Sequence, residues 1–296
     1  MKRIVVIGAT GKQGGGVLRA LQAGNQFKAR ALTRHPDKHR GLADEVVKAD
    51  LDRPETLNAA FEGAHGVFLV TNFWEEGTVE VKQATAAIRA ARDAGVKHFI
   101  WSTLPDVEAI SGGKFNVPHF TGKAKIDVLV RDAGFSHHTF VIAPFYYQGL
   151  VTVLAPQEQA DGTWGWALPL DPNIRCIHMG DIHELGNIVA GAFAQPDRAG
   201  NGEYLPLVGD FMSFNEIVGT LDQQGHEFSF TQVPKDAYVT LFPGAAEIAE
   251  TFSYWKAHTY LGSDSRDRIA LANEIADRQP TNFSTWARVN FPVHAL

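Results

Sequence analysis

The sequence has one cysteine, no long hydrophobic run and no leader-like segment at its start. Cys176 is the only cysteine among 296 residues, so no disulfide can form within the chain. No apolar stretch reaches the length of a membrane span, and residues 1–3 lead directly into a strand pattern without the apolar run of a signal peptide. We therefore expect a cytoplasmic protein, or also a nuclear one in a eukaryote, with no membrane contact.

Excess positive charge is absent as well. Lys and Arg number 27 against 33 Asp and Glu, which gives a formal net charge of −6 at pH 7. The one basic cluster, residues 34–40, is too short for a nucleic-acid surface, which needs a broad cationic face. We expect no direct nucleic-acid partner. A chain of this length that is 45% hydrophobic can bury one large core or two domains.

Metal-ligand spacing is also lacking. His137 and His138 are adjacent in a strand pattern and would face opposite sides, whereas His178 and His183 have no cysteine partner. We expect no metal site, and we expect Cys176 to be an inert packing residue.

A glycine-punctuated turn follows the first strand pattern. Residues 4–7 form a β-branched run typical of a buried strand, and Gly8, Gly11 and Gly14 follow at G-x-x-G-x-x-G spacing. Gly8 and Gly11 allow a tight turn beside a pyrophosphate, Gly14 allows close helix packing, and the helix N-terminus directs free N–H groups at phosphates. A turn without a ligand is the alternative, but the amphipathic helix that follows favours a dinucleotide site.

The end of the second strand pattern indicates which dinucleotide binds. NAD-selective folds place an acidic residue there for the ribose 2′-hydroxyl, but here the strand ends in Arg34. The Arg34 guanidinium suits a 2′-phosphate, and Lys38 can add a second positive charge. An ordinary exposed surface arginine is the alternative. The sequence thus predicts NADP(H) as the cofactor.

Strand and helix patterns alternate through the first half of the chain. This alternation predicts an α/β, Rossmann-type fold with a doubly wound parallel sheet, whose ligands bind at the carboxyl ends of the strands. The longest helix is expected at residues 77–93. The predicted strands are residues 3–7, 27–33, 45–48, 66–70, 97–101 and 137–142.

The alternation ends near residue 150. Prolines and glycines crowd residues 156–172, and short elements follow without a regular order. We expect an NADP-binding Rossmann domain at residues 1–150 and a smaller C-terminal α+β lobe, for substrate or partner, at residues 151–296. Asp181 predicts a helix start, and Ser213 with Glu216 predicts a capping box.

The catalytic pattern of short-chain reductases is present only in part. Those enzymes carry a Tyr four residues before a Lys on the helix after the fifth strand, and a Ser at the end of that strand. Ser102 and Lys123 fit, but His119 stands in place of the Tyr. Lys123 would hold the nicotinamide ribose, and His119 would act as an acid or base near neutral pH. A solvated helix cation and a hydrogen-bonded helix-start histidine are the alternatives.

Aromatic side chains follow two of the predicted strands. Tyr146 and Tyr147 come after Pro144 at the end of the sixth strand, where they would line the nicotinamide end or supply the missing phenol. Plain packing is the alternative for both tyrosines, and equally for Phe73 and Trp74.

Several segments carry a family resemblance that runs nearly end to end. They are Gly-Ala-Thr-Gly-Lys-Gln-Gly at 8–14, Leu-Thr-Arg at 32–34, Val-Thr-Asn-Phe-Trp-Glu at 70–75, His-Phe-x-x-Lys at 119–123, Phe-Pro-Gly-Ala at 242–245 and Thr-Trp-Ala-Arg at 285–288. The chain resembles the NmrA-like family of atypical short-chain dehydrogenases, and within it is most similar to the HSCARG-type NADPH-sensor branch. Many relatives carry Asn where Gln148 stands, which puts the nicotinamide-side pocket in doubt.

The resemblance implies a cofactor role for each matching residue. The pyrophosphate would contact Gly8, Thr10, Gly11, Gln13 and Gly14. Arg34 would bind the 2′-phosphate, and Asp50 with Leu51 the adenine edge. Beside the ribose and nicotinamide would lie Thr71, Asn72, Phe73 and Lys123.

Two functions follow from the resemblance. A sensor would bind NADP(H) without efficient turnover, and loops 71–76 and 104–117 would change its affinity for a regulatory protein partner. An enzyme would use NADPH to reduce a small-molecule acceptor, a quinone, enone or aryl ether, which needs little acid catalysis when the acceptor is electron-poor. The missing Tyr favours the sensor.

Overall fold

The molecule is built around a parallel sheet of seven strands. The structure is a computed structural model that describes residues 1–75, 77, 79–159 and 161–291. Its strands are β1 (Lys2–Val6), β2 (Phe27–Thr33), β3 (Glu45–Lys48), β4 (Gly66–Leu69), β5 (His98–Thr103), β6 (His137–Ile142), β7 (Phe145–Tyr146), β8 (Gln157–Glu158), β9 (Trp164–Leu168), β10 (Ile177–Gly180), β11 (Asn201–Pro206), β12 (Asp210–Met212) and β13 (Phe228–Gln232).

The strand order in this sheet is β3-β2-β1-β4-β5-β6-β11, and every neighbouring pair is parallel. The order reverses between β1 and β4, which is the topological switch point where Rossmann-type folds bind ligands. The predicted fold class is confirmed. The carboxyl ends of β1, β2, β4, β5 and β6 meet at one edge of the sheet, and the candidate site residues follow them.

The helices cover both faces of the sheet and build most of the C-terminal region. They are α1 (Lys12–Gly24), α2 (Leu57–Phe61), α3 (Glu80–Asp93), α4 (Val107–Ser111), α5 (Pro118–Asp132), α6 (Leu185–Ala194), α7 (Pro196–Ala199), α8 (Phe214–Asp222), α9 (Lys235–Tyr238), α10 (Ala245–His258), α11 (Arg266–Ala276) and α12 (Phe283–Asn290). Short 3₁₀ turns span Pro36–His39, Pro54–Thr56, Tyr147–Val151 and Ile182–Glu184.

Six strands of the central sheet lie within two residues of their predicted bounds. The seventh, β11, was not predicted, because its pairing with β6 shifts register between Asn201 and Tyr204 and its sequence shows no clean alternation. Helix α3 begins at Glu80 and not near residue 77, because the residue before it, Val79, has an extended backbone with φ −118° and ψ 91°.

Elements that follow residue 150 also pack on the central sheet. Helix α6 lies against α1, where a Cβ at Gly16 would stand 2.4 Å from the His183 carbonyl and one at Gly186 would stand 2.1 Å from the Gly16 carbonyl. This close crossing needs glycine on both helices. The contact of α6 with α1 and the pairing of β11 with β6 connect the parts of the chain before and after residue 150. The domain boundary at residue 150 stays a prediction.

The C-terminal region contains two smaller three-stranded sheets, β12-β10-β7 and β13-β9-β8. The predicted capping box is present at the start of α8, where Ser213 and Glu216 exchange side-chain-to-backbone hydrogen bonds. The predicted start at Asp181 is confirmed for the 3₁₀ turn that leads into α6. Among the described residues, no helix is long and apolar enough to cross a membrane.

Candidate functional site

The turn between β1 and α1 has the geometry of an anion cradle. Gly8 has φ +74°, and its carbonyl accepts the Gly11 N–H at 2.9 Å. A Cβ at Gly14 would stand 2.2 Å from the Gly8 carbonyl oxygen, so only glycine lets α1 begin this close to the turn. Helix α1 has neither a side-chain cap nor an acidic residue in its first turn. Its first N–H groups are thus available to phosphate oxygens, with exposed Thr10 beside them.

Arg34 lies exposed at the carboxyl end of β2, as the sequence predicts, but it has a partner. Its Nη1 lies 2.7 Å from Glu75 Oε1 in an exposed ion pair, and the Glu75 hydrogen bond and charge raise the pKa of Arg34. Lys38 is exposed on the 3₁₀ turn after β2, and Asp50 with Leu51 is half-buried after β3. A 2′-phosphate at this position would compete with Glu75 for the guanidinium.

Gln13 connects the glycine turn to two other strands. Its Nε2 donates to the Tyr146 hydroxyl at 2.8 Å, and its Oε1 accepts from Ser102 Oγ at 2.6 Å. Burial raises the pKa of Tyr146, with the Gln13 hydrogen bond opposing the change, so the phenol stays protonated at neutral pH. These hydrogen bonds fix three predicted site residues, which lie at the end of β5, in β7 and at the start of α1.

Lys123 is buried and fully hydrogen-bonded. Its Nζ donates to the Thr71 carbonyl at 3.0 Å, to Thr71 Oγ1 at 3.1 Å and to Glu80 Oε1 at 2.7 Å. Burial lowers the pKa of Lys123, and the charge and hydrogen bond of Glu80 oppose that effect. The three N–H bonds of the ammonium are thus already used to join α5, α3 and the end of β4. The predicted contact of Lys123 with a ribose stays a prediction.

His119 is held by a carboxylate from the C-terminal region. Glu247 Oε1 lies 2.6 Å from His119 Nδ1 and accepts the His119 backbone N–H at 3.0 Å. Burial would raise the pKa of Glu247, but its hydrogen bonds with His119 outweigh that effect and lower it. The imidazole also packs against the rings of Phe73, Trp74 and Phe120, with centroids 5.9, 5.2 and 4.8 Å away.

A cavity of about 610 Å³ lies between the carboxyl edge of the sheet and α10. Its wall includes the predicted site residues Gln13, Thr71, Asn72, Phe73, Ser102, His119, Lys123, Pro144 and Tyr146. The rest of the wall is largely apolar and includes Trp74, Leu104, Phe120, Phe145, Val153, Leu154, Tyr238, Phe242, Ile248, Phe252, Trp255 and Tyr260. The Tyr260 hydroxyl donates to the Ala143 carbonyl at 2.8 Å.

The structure thus brings nine predicted residues to one cavity and places Gly8, Thr10, Gly11 and Gly14 at the turn beside it. Arg34, Lys38, Asp50 and Leu51 lie at the ends of β2 and β3. Asn72 accepts the Trp74 backbone N–H and so shapes the loop after β4. Glu76, part of the loop expected to move, lies outside the described residues.

Sequence reasoning missed the carboxylates at this site and the wall supplied by α10. Glu75, Glu80 and Glu247 each pair with a predicted residue from more than 40 positions away. The Phe-Pro-Gly turn before α10 signals that helix but not the face that the helix presents to the cavity.

Cys176 and His178 are buried in the core. Cys176 is buried, and burial raises the pKa of its thiol to about 12. His178 stacks on Phe211, and burial lowers the pKa of His178 to about 4. No group of three or more His, Cys, Asp or Glu side chains suited to a metal ion occurs among the described residues.

Comparisons with known proteins agree with this geometry. A sequence model of the NmrA-like family matches residues 1–287. The NmrA-like oxidoreductase FrzB of Cladobotryum sp. is 34% identical, over 74% of this chain and 72% of its own. An NmrA-like domain-containing protein of Dictyostelium discoideum is 32% identical, over 73% and 75%. The crystal structure of NmrA, a negative transcriptional regulator, in complex with NADP superposes with TM-score 0.81 at 22% identity, covering 98% and 95% of the two chains.

Proposed function

The chain belongs to the NmrA-like family, and on this premise we propose that it is an NADPH-dependent reductase of an uncharged, apolar acceptor. The observation that carries the proposal is the cavity of about 610 Å³ beside Gln13, Ser102 and Lys123. A cavity of this size suits a small molecule, and its position at the switch point of the sheet puts an occupant next to a bound dinucleotide.

Several residues fit the dinucleotide. The Gly8-to-Gly14 turn leaves space that a Cβ would fill, and the uncapped N-terminus of α1 offers N–H groups to a pyrophosphate. Arg34 offers a planar cation to a 2′-phosphate. The NADP bound to a structural neighbour and the oxidoreductase name of a relative support the same cofactor and reaction class here.

The charge balance of the cavity argues for an uncharged acceptor. Lys123 and Glu80 neutralise each other, and Glu247 is paired with His119. The ring-rich wall offers stacking and apolar contact to a planar molecule. A quinone or a conjugated enone has this shape, and its electron-poor carbon accepts a hydride from a reduced nicotinamide.

The chain's own residues would orient the reactants and exclude water. NADPH, when bound, supplies the hydride. Lys123 fixes Thr71 at the end of β4, while Gln13 fixes Tyr146 and Ser102 at the cavity wall. Phe73, Trp74 and the α10 rings enclose the acceptor, so that its reacting carbon meets the hydride away from solvent.

A turnover assay tests the proposal. The purified protein is mixed with NADPH and a panel of quinones, enones and aldehydes, each with a carboxylated analogue as matched control, while nicotinamide absorbance and NADPH binding are followed. We expect turnover of uncharged acceptors and little of the carboxylated ones. Tight NADPH binding without turnover of any acceptor would refute the reductase.

A sensor is the second candidate, and the Arg34–Glu75 ion pair favours it. A 2′-phosphate that takes Arg34 from Glu75 would release one end of the loop that carries Trp74, whose side chain is 59% exposed. Amide hydrogen exchange at residues 71–75 should then differ between NADPH and NADH. The relatives above establish the family but not its branch, so the HSCARG-type assignment stays a prediction, as does a regulatory protein partner.

A further inference from the structure

We propose that His119 is the proton donor of the cavity and that Glu247 is the positioning residue that directs its Nε2 atom toward the acceptor. This inference rests on the proposed reductase function and names residues for its proton step. Glu247 on α10 contacts His119 on α5, although the two residues are 128 positions apart in the sequence.

The hydrogen bonds determine which ring nitrogen is available. An ionised carboxylate only accepts hydrogen bonds, and Glu247 Oε1 already faces two N–H groups, the His119 backbone N–H and Nδ1 at 2.6 Å. Nδ1 therefore carries a hydrogen in both the neutral and the protonated ring. Nε2 is left as the ring nitrogen that can face an acceptor, and no hydrogen bond or ion pair to it occurs among the described residues.

The surroundings of His119 favour this orientation. Its side chain is 13% exposed and lines the cavity, and the rings of Phe73, Trp74 and Phe120 pack against it. Glu247 lies in the first turn of α10, where a negative charge is favoured by the helix dipole. Glu247 also caps α5 through the His119 backbone N–H, because the N-cap residue Val117 has no side-chain bond there.

Within the described part of the chain, the other charged groups near His119 are paired. Lys123, one turn further along α5, is bound to Glu80 of α3, and the loop after β4 carries Glu75 bound to Arg34. Glu247 from α10 is thus the carboxylate that faces the imidazole, and its removal changes the ring's charge environment directly.

The step balances as a two-electron reduction. The hydride supplied by the bound cofactor carries both electrons to the electron-poor carbon of the acceptor, and negative charge collects on the conjugated oxygen. The Nε2–H bond of the imidazolium breaks as an O–H bond forms on that oxygen. Neutral His119 stays hydrogen-bonded to Glu247 through Nδ1–H, and water returns the proton to Nε2.

The test compares His119→Asn, Glu247→Gln, Glu247→Ala and Tyr146→Phe, with Glu250→Gln as the matched control. Glu250 lies on the same helix as Glu247 and pairs with Lys235. For each variant kcat and KM are measured with an acceptor that the unaltered protein reduces. NADPH affinity, thermal stability and the ¹⁵N NMR signals of the His119 ring in the cofactor-free protein are measured as well.

We expect His119→Asn to lower kcat about 100-fold, at the low end for general acid catalysis, with NADPH affinity unchanged. Glu247→Gln keeps an acceptor for Nδ1–H but loses the charge. It should lower kcat while the Nδ1–H preference persists in the NMR spectrum, because the ring keeps its hydrogen bond but loses the negative charge beside it. Glu247→Ala should also abolish the Nδ1–H preference in the NMR spectrum, whereas Glu250→Gln should change none of these quantities.

Four outcomes overturn the inference. They are an unchanged kcat in His119→Asn, a loss of kcat in Tyr146→Phe in its place, a neutral ring protonated on Nε2 in the unaltered protein, and a Glu247→Gln variant that loses stability while its kcat stays unchanged. The last would leave Glu247 as a helix cap only. If the unaltered protein reduces no acceptor, the reductase itself fails and the proton-donor role with it, while the NMR signals still decide whether Glu247 orients the ring.

Discussion

Replacing Arg34 by Ala tests the 2′-phosphate site, and the structure allows its magnitude to be worked out. A hydrogen bond to a charged group contributes about 1.5–3 kcal/mol, which sets the gain when the guanidinium binds a phosphate. Arg34 must first release Glu75, but the two side chains are 57% and 40% exposed, and such exposed pairs contribute only about 0.2–1 kcal/mol. The net contribution to NADPH binding is therefore about 0.5–2.8 kcal/mol.

This difference corresponds to an NADPH Kd that rises about 2- to 110-fold in Arg34→Ala, while the NADH Kd stays nearly unchanged because NADH has no 2′-phosphate. The reverse change follows from the same pair. Glu75→Gln removes the competitor for Arg34, so NADPH should bind up to about fivefold more tightly, again without an effect on NADH.

Isothermal titration calorimetry with both cofactors measures these effects. Arg40→Ala is the matched control, because Arg40 belongs to the same basic cluster but pairs with Asp37 at a site where both side chains are more than 80% exposed. Equal losses for NADPH and NADH in Arg34→Ala would refute the assignment, and so would a loss in Arg40→Ala as large as that in Arg34→Ala.

Three further predictions concern the buried parts of the site and the core. Lys123→Met should lower the free energy of unfolding by about 3–5 kcal/mol, because it leaves Glu80 buried without its cation, and adding Glu80→Gln should restore part of it in denaturant titrations. Gly14→Ala should weaken both cofactors and destabilise the fold by about 1–3 kcal/mol, whereas Gly15→Ala, whose Cβ would have its nearest neighbour at 3.6 Å, should keep calorimetric affinity for both. Burial raises the pKa of Asp127 from 3.8 to about 6, so its carboxyl binds a proton more tightly in the folded than in the unfolded chain. The stabilisation of the fold by this proton is complete below pH 3.8 and is lost as the pH rises through about 6. The free energy of unfolding of Asp127→Asn, measured relative to that of the unaltered protein, should therefore rise by about 2–3 kcal/mol as the pH goes from 4 to 7. A difference between the two proteins that stays constant with pH would contradict the assignment.

Local rules account for what could be predicted from the sequence. The β-branched runs, the glycine spacing after β1 and the polar caps at Asp181 and Ser213 act within a few residues, and the structure has each where it was expected. Alternation of strands and helices then leaves little freedom in topology, because parallel strands need right-handed crossovers. The residues after each strand consequently meet at one edge of the sheet.

Pairing over long sequence distances could not be predicted. Arg34, Lys123 and His119 are each visible as chemistry-bearing residues, but their carboxylate partners lie 41, 43 and 128 positions away. No pattern in one sequence specifies which of 33 acidic residues reaches which cation. Lys123 is an example. Its position in the sequence suggests a contact with the ribose, whereas in the structure it is buried and its hydrogen bonds to Thr71 and Glu80 connect three elements.

The loop after β4 connects the two candidate functions physically. Thr71 at its start is bound by Lys123, the rings of Phe73 and Trp74 pack on His119, and Glu75 at its end binds Arg34. A 2′-phosphate that displaces Glu75 would act on the same loop whose Phe73 and Trp74 rings pack on the proposed proton donor. Cofactor sensing and turnover would then depend on the same loop. In a reductase the cavity binds an acceptor, whereas in a sensor the exposed Trp74 binds a protein partner. The hydrogen-exchange and turnover measurements separate these cases, because a response of residues 71–75 to NADPH is expected in both and reduction of an acceptor in only one.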